Sequence, residues 1–353
     1  MNLNSIRDTL LDETTSREQL YSALDSFSAI CSQATGVRAD PSFDAWADDA
    51  FLENGVAINP QAAAHCVVDY ARSVAFIRGV SAAIETLQLR FPDTPLEILY
   101  AGSGPFATLL LPLLGRFSPG DLSLNLLDVH QRSLDSVSLL IVEFGLGAHD
   151  IQLIKADACD YDHPRALHLV VAETMQKSLE QEPQFAVTAN LAPQLHTGGV
   201  FIPQRIEVRL CLADIEHEQA LTAQAQKESC VEIDNPTRDA TRYSLGTLCN
   251  LSAEHAFDQL QAARVNANGA AAGLKPTIVD IPRLKDIAEL DAALFTRIDV
   301  FEQYRLEDYE SQITLPLRCT ELSPLVGGER YRATYQLGSY PKFNFERIPS
   351  AST

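Results

Sequence analysis

The sequence predicts an α/β protein in which a doubly wound parallel sheet is preceded by N-terminal helices and followed by a C-terminal antiparallel, barrel-like β domain. Three observations predict it. Short apolar runs, Leu96 to Ala101, Leu122 to Val129, Ile151 to Ala156, Leu167 to Ala172 and Val200 to Ile202, alternate with longer stretches of helical period. A strand covered by helices on both faces reads as such a run, because neither side chain set meets water. Beyond Pro203 the pattern becomes strict alternation, as in Arg205-Ile206-Glu207-Val208-Arg209-Leu210 and Arg330 to Leu337, which describes strands with one wet face. Upstream, Leu10, Leu11, Leu20, Leu24 and Phe27 recur at helical intervals through the first 50 residues.

Taken in order, the chain divides into an N-terminal helical segment (1–59), a Rossmann-like core (60–203) and a β-rich domain (204–353) with a helical insertion near 252–265. A helix is predicted from Pro60 to Leu89, ending before the proline-bearing turn Phe91-Pro92-Asp93-Thr94-Pro95. Asn266 to Gly273, rich in glycine and alanine, reads as a loop.

At 353 residues, with 46% apolar and 21% charged residues, the chain has the composition of a soluble globular protein and can bury a large core. A formal net charge of −20 opposes extended contact with phosphate backbones, so nucleic acid is not expected as a partner. The acidic balance serves solubility and is compatible with a cationic acceptor. No basic segment leads into an apolar one at the N-terminus and no long apolar run occurs, so neither secretion nor a membrane span is expected, and the expected location is cytoplasmic. The seven scattered cysteines form no C-x-x-C pair, which fits buried thiols, and the eight histidines show no metal-ligand spacing, so no metal site is expected.

The chemistry-bearing signal begins at Ile98-Leu99-Tyr100-Ala101-Gly102-Ser103-Gly104-Pro105-Phe106, a strand that runs into a Gly-x-Gly turn expected to open a helix. Glycine suits a backbone that turns tightly and lets a ligand approach. The next strand ends in Asp128, 24 positions after Gly104. A carboxylate at the tip of the second strand is placed to accept both hydroxyls of a ribose; the alternative is a carboxylate that caps the following helix. The third and fourth strands also end in acids, Asp157 and Glu173, describing an acidic rim at the carboxyl edge of the sheet.

These residues resemble the class I S-adenosylmethionine-dependent methyltransferases. The resemblance implies S-adenosyl-L-methionine as cofactor, with Gly102, Ser103 and Gly104 under its amino-acid part, Asp128 and Val129 at the ribose, and Asp157 and Ala158 beside the adenine. It departs at the end of the first strand, where Tyr100 replaces the family's acid. Three further segments resemble the protein arginine N-methyltransferase branch: Asp69-Tyr70-Ala71-Arg72-Ser73, Gly198-Gly199-Val200-Phe201-Ile202-Pro203-Gln204-Arg205, and more loosely Tyr304 to Tyr309. The branch implies that Arg72 grips the cofactor carboxylate and that two glutamates clamp a guanidinium, Glu173 with Glu182 or Glu180, Glu173 also bordering the cofactor.

A guanidinium stays protonated and is a poor nucleophile, so paired carboxylates are needed to localise its charge and aim one nitrogen. Against this, Arg72 read alone is a surface-helix arginine, and Glu180 and Glu182 are equally a charged first helix turn. The chain lacks the branch's Thr-His-Trp element, its one tryptophan being Trp46, and carries Met175-Gln176-Lys177 where the branch has an aromatic. The expected function is therefore methyl transfer to a guanidino or amino nitrogen of a small molecule or a divergent protein or peptide, with a homodimer implied by analogy. The alternatives are a non-catalytic binding protein altered at Tyr100 and Phe106, and a nicotinamide-dependent oxidoreductase, whose βαβ signature overlaps but whose third glycine is Phe106 here.

Overall fold

The computed structural model describes residues 2–38, 49–228, 242–266 and 273–349. Trp46 and residues 267–272 of the glycine- and alanine-rich loop lie outside the described residues. The N-terminal segment forms α1 (Leu3–Leu11) and α2 (Arg17–Thr35), the latter opened by a Ser16–Gln19 capping box and closed by Gly36 in the left-handed region. A short hairpin follows, β1 (Ala50–Leu52) and β2 (Gly55–Ala57), which the sequence reading did not anticipate.

The long helix expected from Pro60 to Leu89 is broken. It consists of α3 (Pro60–His65), a single 3₁₀ turn over Cys66–Val68, and α4 (Tyr70–Arg90). Asp69 sits at the break with φ −77° and ψ 79°, outside the helical region. Its carboxylate is drawn away by Ser311 Oγ and the Gln312 amide, which donate to Oδ2 at 2.6 and 2.9 Å.

The parallel sheet comprises β3 (Leu96–Ala101), β4 (Leu122–Asp128), β5 (Asp150–Lys155), β6 (Leu167–Ala172) and β7 (Leu195–Ile202) in the order β5-β4-β3-β6-β7. Every neighbouring pair is parallel. All residues of β3, β4 and β6 are buried, as their unbroken apolar runs require. The chain leaves β3 to one side and returns to the other, so the switch point lies at the carboxyl end of β3.

The crossover after the glycine turn corrects one expectation. No α-helix follows Gly104; the segment turns through Ala107 at φ 41° and then forms a 3₁₀ helix, Leu111–Arg116. Pro105, Pro112 and Gly115 within this stretch deny it the backbone donors and rigidity an α-helix needs. α5 (Gln131–Glu143) joins β4 to β5 and α6 (Gln184–Leu191) lies between β6 and β7, whereas residues 156–166 join β5 to β6 without a helix.

The C-terminal part is antiparallel. One sheet holds β8 (Arg205–Ala213), β9 (Tyr243–Leu251), β11 (Asp291–Phe301), β12 (Tyr304–Leu306) and β13 (Leu317–Arg318). The other holds β10 (Thr277–Asp280), β14 (Arg330–Gln336) and β15 (Lys342–Ile348). α7 (Ile215–Glu228) follows β8, and α8 (Ala256–Asn266), the insertion expected near 252–265, packs on α6 of the same chain with Ala256, Leu260 and Ala263 buried. A continuous apolar core runs from α1 and α2 through α4 and the parallel sheet to β11 and β14.

Candidate functional site

A cleft of about 410 Å³ lies beyond the carboxyl ends of β3, β4 and β6. Of the residues singled out from the sequence, Arg72, Gly102, Ser103, Gly104, Asp128, Val129, Asp157, Ala158, Glu173 and Glu182 all line it. Glu180 does not. It is partly buried among Lys342, Glu321 and Lys177, and burial raises its pKa above the usual carboxylate range. Lys177 likewise lies off the cleft lining.

The glycine turn is built around Asp128. Gly102 and Gly104 take φ of +69° and +62°, and a Cβ on Gly102 would stand 2.5 Å from Thr174 Cγ2. The Gly104 amide donates to Asp128 Oδ2 at 2.9 Å and the His130 amide to Oδ1 at 2.8 Å. Each carboxylate oxygen so held keeps capacity for a further hydrogen bond, and Asp128 lines the cleft. Burial raises the Asp128 pKa, and these backbone donors work against the rise. Phe106 is buried in the core and forms part of the cleft wall without filling it. Asp157 accepts from the Cys159 amide at 2.9 Å and so shapes its own loop. Tyr100, where an acid was expected, is buried against the same cleft, and burial pushes its hydroxyl well above the usual range.

Arg72, on the first turn of α4, forms a salt bridge with Glu173, and both side chains are nearly inaccessible. The pairing is incomplete: Arg72 Nε and Glu173 Oε1 are buried with no hydrogen-bond partner among the protein's own groups. Glu182 is buried beside them. Burial pushes its carboxyl up to about 7, opposed by the Arg72 charge and by a hydrogen bond from the Gln176 side chain.

The loop that carries the two glutamates is pinned from four directions. Thr174 N and Oγ1 donate to Gln184 Oε1 at 2.9 and 3.1 Å, and Ser178 N donates to Thr296 Oγ1 at 3.0 Å. Tyr335 Oη donates to the Leu179 carbonyl at 2.7 Å, and the Gln181 amide to the Pro341 carbonyl at 2.8 Å. Ser178, Leu179 and Gln181 all have positive φ, a conformation that costs roughly 1–3 kcal/mol for each such residue and persists only where its surroundings impose it. Here the surroundings are β11, β14 and the turn before β15. This loop is therefore not the charged first turn of a helix: α6 begins only at Gln184.

Sequence reasoning missed three contributors to the walls. The hairpin β1–β2 supplies Leu52, Val56 and Ala57, and the Asn54-Gly55 dipeptide, a hairpin signal, could have found it. His130, whose Nε2 lies 3.3 Å from the Ala57 carbonyl, stands two positions after Asp128. Gln312 and Ile313 arrive on a capped turn over Ser311–Thr314, tied to Asp69, and no local signal marks them.

Neither a family model nor a curated protein matches the sequence. Among solved structures the chain is similar to Arabidopsis thaliana protein arginine methyltransferase 10, at 10% identity and a TM-score of 0.48, over 77% of this chain and 86% of that one. It is also similar to a chain of the Trypanosoma brucei PRMT1 enzyme–prozyme heterotetrameric complex with AdoHcy, at 11% identity and a TM-score of 0.46, over 80% and 96%.

Proposed function

We propose that this protein is an S-adenosylmethionine-dependent methyltransferase whose acceptor atom is a guanidino or amino nitrogen, with residues 60–203 holding the cofactor. The observation that supports this reading best is the convergence on one cleft of a glycine turn latched to Asp128 and the incompletely satisfied Arg72–Glu173 pair, with Glu182 alongside. The residues fit the cofactor: an orphaned guanidinium N–H suits a carboxylate, and a strand-end carboxylate with free lone pairs suits a ribose. When bound, the cofactor supplies a methyl group on a positively charged sulfur, which is electrophilic without further activation.

What the chain's own residues contribute is placement. The Gly102–Gly104 turn lets the backbone approach the ligand, and Arg72 Nε donates to its carboxylate. Glu173 Oε1 accepts an N–H of the acceptor and so aims one nitrogen, in the near-attack manner that supplies most of such a barrier reduction. Glu182, with its carboxyl near neutrality, takes the proton that the nitrogen loses as the N–C bond forms.

Isothermal titration of the full-length protein with S-adenosylhomocysteine tests the reading. One-to-one binding is expected, with no heat from NAD under the same conditions. Arg72→Met removes a charge-assisted hydrogen bond of about 1.5–3 kcal/mol and should weaken S-adenosylhomocysteine roughly tenfold to a hundredfold. Absence of binding by the folded wild-type protein overturns the proposal.

A further inference from the structure

The glutamate end of the cleft is bordered by three segments far apart in sequence, each held in place by hydrogen bonds. The Val56 amide donates to the Gln181 carbonyl at 2.8 Å, so the hairpin's inner strand is bonded to the glutamate loop. The contact is close: a Cβ on Gly55 would lie 2.8 Å from Pro183 N. The loop is in turn held by Pro341 and Tyr335, and the Ser311–Thr314 turn by Asp69 at the root of α4. A residue within a polypeptide enters a site with main chain on both sides, which requires a trough open at two ends or a free strand edge. The edge that β2 would offer at this rim is engaged through Val56. The volume, about 410 Å³ for cofactor and acceptor together, also falls toward the lower end of the roughly 300–1,000 Å³ of small-molecule sites.

Charge narrows the occupant further. Glu173 is already paired with Arg72, so that couple adds no net charge. Glu182 is the buried carboxyl beside that pair; of the other acids that line the cleft near it, Asp49 accepts from the Asn59 amide and side chain at 2.7 and 2.9 Å and Asp69 accepts from Ser311 and Gln312. Glu182 is placed to match one cationic head, and Leu52, Val56, Met175 and Ile313 make much of the wall around it apolar. Desolvating an unpaired charge against such walls is costly, whereas a methylene chain against them is favourable.

We infer that the acceptor is a small free monocation with a short alkyl body, a guanidine or an amine that is not part of a polypeptide. The inference rests on the methyltransferase reading above and specifies its substrate class. It is tested on the full-length protein saturated with S-adenosylhomocysteine, titrated calorimetrically with methyl-, ethyl-, propyl- and butylguanidine, with the matching alkylamines, and with the capped tripeptide acetyl-Gly-Arg-Gly-amide. One of the two alkyl series should bind, its affinity rising about fourfold for each added methylene, and the peptide should bind at least tenfold more weakly than the butyl member. Peptide binding as tight as that of the butyl compound overturns the inference, as does a flat series or the failure of every alkyl cation to bind while S-adenosylhomocysteine does. If S-adenosylhomocysteine itself does not bind, it is the methyltransferase reading that has failed.

Discussion

Two buried arginines of this protein face carboxylates in opposite styles. In the C-terminal part, Arg242 Nε and Nη2 donate to the two oxygens of Glu218 at 2.7 and 2.9 Å, and Nη1 donates to Asp308 Oδ2 at 2.6 Å. The guanidinium also lies 4.0 Å from the centre of the Phe295 ring, and Tyr309 Oη donates to Glu218 Oε2 at 2.7 Å. Glu218 is thus filled at both oxygens; within the cluster Asp308 Oδ1 alone of the Glu218 and Asp308 oxygens lacks a partner. Arg72 and Glu173, which line the cleft, are also largely inaccessible, yet each keeps a buried polar atom unpartnered. Burial of charge alone does not separate a structural pair from a ligand site. Unused hydrogen-bonding capacity beside a cavity does, because a buried donor or acceptor left bare costs free energy that a ligand can recover.

Removing each arginine in turn separates the two roles. Arg242→Met leaves Glu218 buried without its cation and Asp308 with Arg209 alone, and unfolding in urea should show a loss of about 3–5 kcal/mol. Arg72→Met should cost clearly less stability, because Glu173 borders the cleft, where water or a proton can reach it, and should cost cofactor affinity instead. Equal losses of stability from the two changes would erase the distinction.

A second effect belongs to the cleft alone. Burial lifts Glu182 from its ordinary 4.5 to about 7, so the folded state holds this proton more firmly than the unfolded chain does. The resulting stabilisation is complete below pH 4.5 and is lost as pH rises toward 7, to a total on the order of 3 kcal/mol or less. Melting curves of wild type and Glu182→Gln across this range should therefore converge or cross, the wild type losing ground as pH increases. Asp128 and Glu180 are shifted the same way but cancel in the subtraction. A difference independent of pH would mean that Glu182 ionises in the folded state as freely as in water.

What the sequence makes legible follows from the range of the interactions involved. β3, β4 and β6 are readable to within a residue because burial on both faces leaves a continuous apolar run. β7 extends back to Leu195, five residues before the apolar run begins, since His196, Thr197, Gly198 and Gly199 are in the strand but hardly buried. The residues at strand ends all reach the cleft, as the geometry of a doubly wound sheet dictates. What stays hidden is long-range. The partner of Asp69 lies 242 positions away, and the break it imposes between α3 and α4 has no local signal beyond a single aspartate. Glu180 and Glu182 look interchangeable in sequence. They are separated only by the left-handed turn at Gln181, which contacts from Val56 and Pro341 hold in place.

The smallest expected effect tests how firmly that loop is held, using two glycines that local backbone geometry does not distinguish. Gly102 and Gly104 both have φ near +60° to +70°, where an added Cβ costs roughly 1–2 kcal/mol by itself. At Gly104 the new atom would lie 3.5 Å from Ala63 Cβ, an ordinary contact, so Gly104→Ala should lose about that amount in thermal or urea unfolding. At Gly102 it would stand 2.5 Å from Thr174 Cγ2, on a side chain latched to Gln184 through both its amide and its hydroxyl. Gly102→Ala should therefore cost measurably more than Gly104→Ala, the excess being the work of displacing a pinned loop. If the two changes cost the same, Thr174 yields freely, and the loop that presents Glu173 and Glu182 is softer than its hydrogen bonds imply.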